Sequence, residues 1–422
     1  MRGLSRELAH RGEQLRRELG LREDAIRVYE GTSGTIVRFS GIAGTMVLPS
    51  VVLDIRPKYV MDAGDRLWAS GLLAMHERSA RKQGEFGRVH RSGYRASTFI
   101  DQLAMALVFE LEDATRHAEV RAYRASVQEL SQVRGRMLVT AQLRSSLVKP
   151  HKVICEVDEL HGDNPVNRLL HWAVRQASSM ARDGMVRRRL SDVGARLPTV
   201  SEPVRRPTQL SFRLPRQYRH YFRAVEIAEI FARGLVVAHG ATAGRGASLL
   251  VGTERLFESF LEAELAAALG DNTGWSTTPQ VREVFAHAEK STGMKDFYSK
   301  PDNLVSKDAK PRLIIDAKYK RFADATNVED PRKPSNADIY QMVAACVAHG
   351  CRRALLVYPA TRDDNGLTDW TTRHWTVPLG DFPLTVGAVA VPLHMLASAG
   401  GAREFKRKLG SLVVREAGTG VA

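Results

Sequence analysis

Apolar residues in the second half of the chain follow two spacings, and together they predict a small α/β unit. Short apolar runs at 303–305, 313–315 and 353–358 predict buried strands. Helical spacing of apolar residues predicts helices over 253–265 and 337–347. The connection at 306–312 is a hairpin by its Lys-Asp-Ala-Lys-Pro composition. The order helix, strand, strand, helix, strand is typical of a compact α/β fold.

The first half predicts short strands followed by longer helices. Glycines separate β-rich segments between Ala25 and Tyr59, which predict a small barrel or twisted sheet. Helical patterns cover residues 4–20, 65–81, 98–112, 165–181 and 218–237, and strand patterns cover 138–143 and 152–157. Asp163 or Asn164 caps the helix that starts at Pro165.

Composition bounds the partner class. The chain has 422 residues and 44% hydrophobic content, enough for two or three cores. Lys plus Arg number 62 and Asp plus Glu 47, which gives a net charge of +15 and favours a polyanionic partner. Each arginine cluster is better explained on its own as a solvated helix surface, so the total charge carries this inference; the clusters are 187–189, 205–206 and 332–333.

Cysteine usage and hydropathy indicate a cytoplasmic protein. Cys155, Cys346 and Cys351 are too few for a disulfide framework and lack the spacing of a zinc site. The first 22 residues are too charged for a signal peptide, and no apolar stretch is long enough to span a membrane.

The candidate chemistry lies where two predicted strands end. Asp302 follows Lys300 and Pro301, and Asp316 follows the buried run 313–315. Lys318, two residues beyond Asp316, shares its strand face because side chains alternate along an extended chain. Two carboxylates can hold Mg²⁺, with Mn²⁺ as a substitute, and a neighbouring ammonium can orient water or neutralise a transition state. The spacing predicts a metal-dependent phosphodiesterase site.

Two further residues are candidates for support. Glu258 borders the apolar stripe of the 253–265 helix and is the third candidate metal acid, whereas Glu254, Glu262 and Glu264 are expected to be exposed. Gln341 can contact a phosphate from the 337–347 helix. An ordinary helix-boundary carboxylate and a solvated amide are the alternative interpretations.

Residues 249–359 resemble the nuclease domain of the McrC family, the cleavage subunit of McrBC-type restriction systems, within the PD-(D/E)xK nuclease group. The resemblance is carried by 256–258, Gln280, 300–302, 315–320, 338–342 and 356–359. It implies that Asp302 and Asp316 are metal acids, that Lys318 is the catalytic lysine, and that Glu258 and Gln341 assist.

The resemblance extends through segments 52–59, 130–137, 158–160 and 164–170. It implies a McrB-like hexameric AAA+ GTPase partner, which recognises modified double-stranded DNA and on which the N-terminal half docks and stimulates hydrolysis. The glycine-rich stretch 240–248 lacks the Lys-Ser/Thr pair of a P-loop, so the chain has no motor of its own, and the resemblance implies an external one.

Residues and resemblance together predict a mixed α+β chain. A β-rich, ring-docking domain with a helical insertion spans 1–160, a helical segment and linker 161–245, a PD-(D/E)xK endonuclease core 246–400 and a C-terminal tail 401–422. The expected function is a Mg²⁺-dependent DNA endonuclease subunit of a restriction system. A stand-alone nuclease, a non-catalytic adaptor that activates an AAA+ ring, and a plain basic DNA-binding protein stay open.

Overall fold

A computed structural model of the chain forms two compact units. It describes residues 8, 12–13, 15–17, 21, 23–31, 34–47, 52–57, 68–79, 98–145, 151–201, 212, 214–236, 248–270, 274–289, 294–320, 333–360 and 370–418. The first unit comprises Met1–Arg95 with Leu250–Ala422, and the second comprises Ala96–Leu249. The domain boundaries predicted at 160, 245 and 400 divide the chain by expected role. The division into compact units does not test them, and they stay predictions.

The described helices match most of the predicted ones. In chain order the α-helices are α1 (Trp68–Ser79), α2 (Phe99–Ala114), α3 (Val139–Ser145), α4 (Pro165–Met180), α5 (Gly184–Gly194), α6 (Phe222–Gly234), α7 (Thr253–Leu269), α8 (Asn336–Ala348) and α9 (Ala399–Gly418). The 3₁₀ helices are η1 (Arg216–Tyr221) and η2 (Leu393–Ala397). Residues 8, 12–13 and 15–17 are also helical, whereas 240–247 lie outside the described residues.

The described strands form two two-stranded sheets, a three-stranded sheet, a four-stranded sheet and a six-stranded sheet. They are β1 (Ile26–Gly31), β2 (Gly34–Phe39), β3 (Ile42–Val47), β4 (Val52–Ile55), β5 (Ala122–Leu130), β6 (Arg136–Met137), β7 (Val153–His161), β8 (Leu235–Val236), β9 (Ser248–Gly252), β10 (Trp275–Pro279), β11 (Glu283–Ala286), β12 (Phe297–Ser299), β13 (Asn303–Lys307), β14 (Lys310–Ala317), β15 (Arg353–Pro359), β16 (Thr372–Val377) and β17 (Leu384–Val391). The mixed α/β class is confirmed.

A six-stranded mixed sheet organises the first unit. Its order is β10-β13-β14-β15-β17-β16, with β14, β15 and β17 parallel and the other neighbours antiparallel. The predicted hairpin joins β13 to β14 through Asp308 and Ala309, whose φ angles of 51° and 61° are those of a type I′ turn. This hairpin places the start of β13 next to the end of β14, at the same end of the two strands.

Helices cover both faces of this sheet. Met342 and Cys346 of α8 pack on Ile314, Leu356 and other buried side chains of one face. Alternation along the strands sends the buried side chains of Val305, Ile315 and Val357 to the opposite face, which α7 and α9 contact. Phe260 and Phe405 join these two helices, with ring centroids 5.5 Å apart.

The second unit packs helices beside an antiparallel three-stranded sheet. The sheet order is β5-β7-β6, and buried apolar residues of α2, α4, α5 and α6 form the helical core. Asn164 caps α4 by accepting a hydrogen bond from the Asn167 N–H at 3.0 Å. Both asparagine amides donate to the carbonyl oxygens of Val120 and Gly162.

Two secondary-structure expectations were wrong. Residues 139–145 are helical because the side-chain amide of Gln142 donates to the Lys152 carbonyl and accepts from the Ile154 N–H, so it replaces a strand partner for β7. The barrel or twisted sheet predicted near the start falls into two separate sheets among the described residues, because β1 pairs with β2 whereas β3 pairs with β4. The chain turns at Gly41, whose φ is +69° and whose carbonyl accepts from Thr253 at the start of α7.

Burial departs from expectation at three places. Glu264 is buried and forms a bidentate ion pair with Arg78, at 2.5 and 2.8 Å, and Glu254 and Glu262 are half-buried. The apolar spacing of the 337–347 helix places Val347 on its inward face, but Val347 is exposed because α8 turns that position away from the sheet. The predicted C-terminal tail is, from 401 to 418, part of α9, with Phe405, Leu409 and Val413 buried.

Candidate active site

The fold brings Asp302 and Asp316 together at one end of the paired strands β13 and β14. Asn303 of β13 lies opposite Ile315 of β14 in the antiparallel ladder. Asp302 directly precedes this pair and Asp316 directly follows it, so the two aspartates lie at the same end of the ladder, and both line one cavity. The buried run 313–315 carries Asp316 into the interior, where its side chain is 3% exposed. The predicted proximity of the two acids is therefore observed.

Asp316 contacts an ammonium and an amide. Lys318 Nζ lies 2.5 Å from Asp316 Oδ2, and Gln341 Nε2 donates to Asp316 Oδ1 at 3.2 Å. Lys318 Nζ also donates to Gln341 Oε1 at 2.7 Å. The three side chains form a closed ring of contacts that joins the end of β14 to α8, so Gln341 lies beside the two candidate residues Asp316 and Lys318.

Asp302 sits in an environment that disfavours its charge. Its Oδ2 accepts a hydrogen bond from the Ala317 N–H at 2.8 Å. Burial raises the pKa of the Asp302 carboxyl to about 7, and the negative charges of Asp316 and Glu258 act in the same direction. The Ala317 hydrogen bond and Lys318 oppose this shift but do not cancel it.

Glu258 lies on the wall of the same cavity. The cavity has a volume of about 410 Å³ and is lined by all five candidate residues. Lys300 and Lys320 also line it. Glu258 is half-buried one turn into α7, which is where the sequence places it.

A second polar cluster beside the cavity was not foreseen. Lys320 Nζ lies 2.6 Å from Asp338 Oδ2 and donates to Ser335 Oγ at 3.1 Å. The hydroxyl of buried Tyr358 donates to the same Asp338 oxygen at 3.0 Å. The only sequence signal was a second lysine two residues after Lys318, because the partners come from distant elements.

The donor set fits a hard divalent cation. The Asp302 and Asp316 carboxylates supply the oxygen ligands that Mg²⁺ prefers, and their mutual repulsion would be relieved by a positive ion. Across the described part of the chain, no three carboxylate, imidazole or thiol groups converge closely enough to ligate one ion. Asp302 and Asp316 are thus the two carboxylates that could hold the ion, and the assignment of Glu258 as a third ligand stays a prediction.

The sequence family is decided by a match over most of the chain. The profile of the family described as McrBC 5-methylcytosine restriction system component matches residues 37–359. The chain belongs to this family. The matched region of this McrBC component includes Asp302, Asp316, Lys318, Glu258 and Gln341, and the resemblance drawn from the sequence is confirmed. No curated protein matches the chain.

Two solved structures resemble this McrBC component. One chain of the refined half-complex from the tetradecameric assembly of Thermococcus gammatolerans McrB AAA+ hexamers with bound McrC is 17% identical, with a TM-score of 0.68 over 96% of this chain and 94% of that chain. A chain of the cryo-EM structure of the Thermococcus gammatolerans McrBC complex is 19% identical, covering 63% of this chain and 80% of that chain with a TM-score of 0.47. The first similarity shows a shared fold. Among the helices of the described residues, none has the length and apolar character needed to cross a membrane.

Proposed function

We propose that this McrBC component is the DNA-cleaving subunit of a restriction system and hydrolyses phosphodiester bonds in the cytoplasm with the help of Mg²⁺. The observation that carries the proposal is the convergence of Asp302, Asp316 and Lys318 in one cavity. Asp302 comes from the start of β13, whereas Asp316 and Lys318 come from the end of β14, and this is the arrangement that the resemblance to the PD-(D/E)xK nuclease group implies.

Each side chain has a role in the hydrolysis. In the reaction, water adds to phosphorus and one bridging P–O bond breaks, which leaves a phosphate monoester and a hydroxyl. Asp302 and Asp316 would hold Mg²⁺, with Mn²⁺ as a substitute, while Glu258 on the wall of the cavity adds negative charge near the ion. When bound, the ion supplies Lewis-acid polarisation of the phosphate and a water of lowered pKa.

We assign Lys318 and Gln341 roles at the phosphate. Lys318 Nζ is held between Asp316 and Gln341, so its charge is placed before the substrate arrives. A fixed ammonium stabilises the negative charge that grows on the phosphoryl oxygens in the transition state. Gln341 keeps the ammonium in place and has a donor for a phosphate oxygen.

The partner is proposed from the shared fold. The structural relative comes from an assembly of McrB AAA+ hexamers with bound McrC. The glycine-rich stretch 240–248 has no P-loop lysine, so the chain has no nucleotide-binding motif there. We therefore assign it an AAA+ GTPase ring as partner, on which it docks and whose hydrolysis it stimulates, with double-stranded DNA as substrate.

Plasmid cleavage tests the proposal. The purified chain is incubated with modified plasmid and Mg²⁺, with and without its AAA+ partner and nucleotide. Cleavage that requires all components supports the proposal, and cleavage by the chain alone indicates a stand-alone nuclease. Stimulated nucleotide hydrolysis without cleavage indicates an adaptor. Metal-independent DNA binding without either activity indicates a plain DNA-binding protein.

A further inference from the structure

Two lysines at the end of β14 contact helix α8 at points one turn apart. Lys318 Nζ donates to Gln341 Oε1 at 2.7 Å. Lys320 Nζ lies 2.6 Å from Asp338 Oδ2. Gln341 and Asp338 are three positions apart on α8, so their Cβ atoms lie about 5–6 Å apart on one face of the helix. Both lysines line the cavity that holds Asp302 and Asp316, and they present two ammonium groups side by side.

The Lys320 ammonium is held in place and keeps a donor for a ligand. Besides its contact with Asp338, Lys320 Nζ donates to Ser335 Oγ at 3.1 Å. An ammonium group has three N–H donors, and the described part of the chain uses two of them. The Lys320 side chain is 38% exposed, against 13% for Lys318. Lys320 is therefore the more accessible of the two cations.

The charge of the buried Asp338 carboxylate does not depend on Lys320 alone. The Tyr358 hydroxyl donates to Asp338 Oδ2 at 3.0 Å. Asp338 also lies in the first turn of α8, where the helix dipole favours a negative charge. Lys320 is thus one of three features that stabilise this carboxylate. Neutralising Asp338 does not by itself explain a fixed and accessible ammonium on the cavity wall.

The charges around the cavity make each accessible cation important for an anionic substrate. Six carboxylate side chains and three lysines line the cavity, so a phosphate that enters is repelled except where a cation faces it. The third lysine, Lys300, is exposed, and no described residue pairs with its ammonium. Lys320 is fixed before the substrate arrives, so it loses less side-chain freedom than Lys300 on binding a phosphate.

We propose that Lys320 binds the DNA phosphate next to the scissile one and thereby sets the position of the strand in the cavity. Successive phosphates of one strand follow each other about every 3.4 Å along the helix axis, so two lysines one helical turn apart can contact neighbouring phosphates. The role of Lys320 rests on the proposed function, because it requires DNA in the cavity. Phosphates are accessible on intact double-stranded DNA, so no base needs to leave the duplex.

DNA binding by Lys320→Gln tests the proposal. The Kd of a DNA duplex is measured for the full chain in EDTA over a range of salt concentrations, and cleavage is measured in the complex with the AAA+ partner. We expect Kd to rise about fivefold and the slope of log Kd against log salt to fall by about one, because one phosphate contact is lost. For cleavage, KM should rise more than kcat falls.

Lys310→Gln is the matched control. Lys310 is an exposed lysine at the opposite end of β14, so its substitution removes the same charge from the same strand. Its Kd for DNA should stay within about twofold of the wild-type value, because this position lies far from the cavity. Equal weakening by Lys310→Gln and Lys320→Gln would show an effect of total charge only, and would overturn the proposal.

Two further variants separate phosphate binding from support of Asp338. Lys320→Arg keeps a cation with several donors and should restore the Kd and the salt slope. The double variant Lys320→Gln and Asp338→Asn leaves no buried charge without its partner, so it tests the proposal even where Lys320→Gln is unstable. Its Kd should stay several-fold above wild type, and its salt slope should stay reduced.

A wild-type Kd and salt slope in the double variant would overturn the proposal and would make Lys320 a structural partner of Asp338 only. Slower cleavage by Lys320→Gln at an unchanged Kd for DNA would overturn it as well. If the wild-type complex cuts no DNA, the proposed function fails, and the binding experiment in EDTA still decides whether Lys320 contacts DNA phosphates.

Discussion

Lys318 donates a hydrogen bond from Nζ to Oε1 of Gln341 at 2.7 Å, across the gap between the end of β14 and helix α8. The Gln341 amide nitrogen donates to Asp316 at 3.2 Å, so only one orientation of the amide satisfies both contacts. The position of the proposed catalytic ammonium is thus set by a residue on a different element.

Removal of the Gln341 amide should lower kcat more than it raises KM for DNA. Gln341→Met retains the side-chain length but frees Lys318 to move, and a roughly 10- to 100-fold loss in kcat is expected for a misplaced electrostatic group. Single-turnover cleavage by the assembled complex measures the effect. Val347→Ala, an exposed position on the same helix, is the control. Equal rates for the two variants would remove Gln341 from the site.

Substitution of Lys318 should change cation binding and cleavage in opposite directions. Lys318 Nζ is the positive neighbour of Asp316 at 2.5 Å, so Lys318→Met makes the cavity more negative. Above pH 8 the variant should bind Mn²⁺ several-fold more tightly and cleave at least about 100-fold more slowly. Titration calorimetry with Mn²⁺ and a cleavage assay measure the two effects. Weaker Mn²⁺ binding by the variant would contradict this assignment.

The raised pKa of Asp302 predicts a pH-dependent stability of the metal-free protein. Since the folded pKa of about 7 lies above the unfolded value of 3.8, the folded state holds the extra proton between these values. The free energy of unfolding should therefore fall as pH rises from about 4 to 7, by at most about 4 kcal/mol from this group. Asp302→Asn should flatten this part of the profile in urea unfolding experiments with EDTA. A wild-type slope retained in Asp302→Asn would contradict the cause assigned to it.

The buried ion pair of Glu264 with Arg78 should matter more than an exposed pair of the same geometry. Glu264→Gln leaves the Arg78 guanidinium without its charge partner, and a loss of about 3 kcal/mol in the free energy of unfolding is expected. Glu404→Gln is the matched control, because Glu404 makes a similar bidentate contact with Arg407 at the surface. Urea unfolding should show a lower midpoint for the first variant only. Equal midpoints would show that burial of Glu264 has no energetic effect.

Local patterns predicted the elements that carry the site. The apolar run 313–315 placed Asp316 at a strand end, and period-two alternation placed Lys318 on the same side, both from neighbouring residues alone. The hairpin predicted at 306–312 brings the start of β13, next to Asp302, alongside the end of β14, which carries Asp316. These features depend on short-range chain geometry, which the sequence encodes directly.

Contacts between distant segments could not be predicted in the same way. The Glu264 carboxylate is buried because Arg78, 186 residues away, neutralises it. Residues 139–145 alternate like a strand, yet the Gln142 contacts with β7 select a helix. At the start of α4 the sequence allowed two caps. The structure assigns the cap to Asn164, while Asp163 pairs with Arg168.

Cleavage by an Asp316→Asn complex tests the central claim most directly. The substitution keeps the size of the side chain and removes the charge that pairs with Lys318 and would hold the cation. The account predicts that Asp316→Asn still assembles with the AAA+ partner and stimulates its GTP hydrolysis, while DNA cleavage with Mg²⁺ falls at least about 1000-fold. Cleavage of DNA at the wild-type rate by this assembled variant would contradict the account.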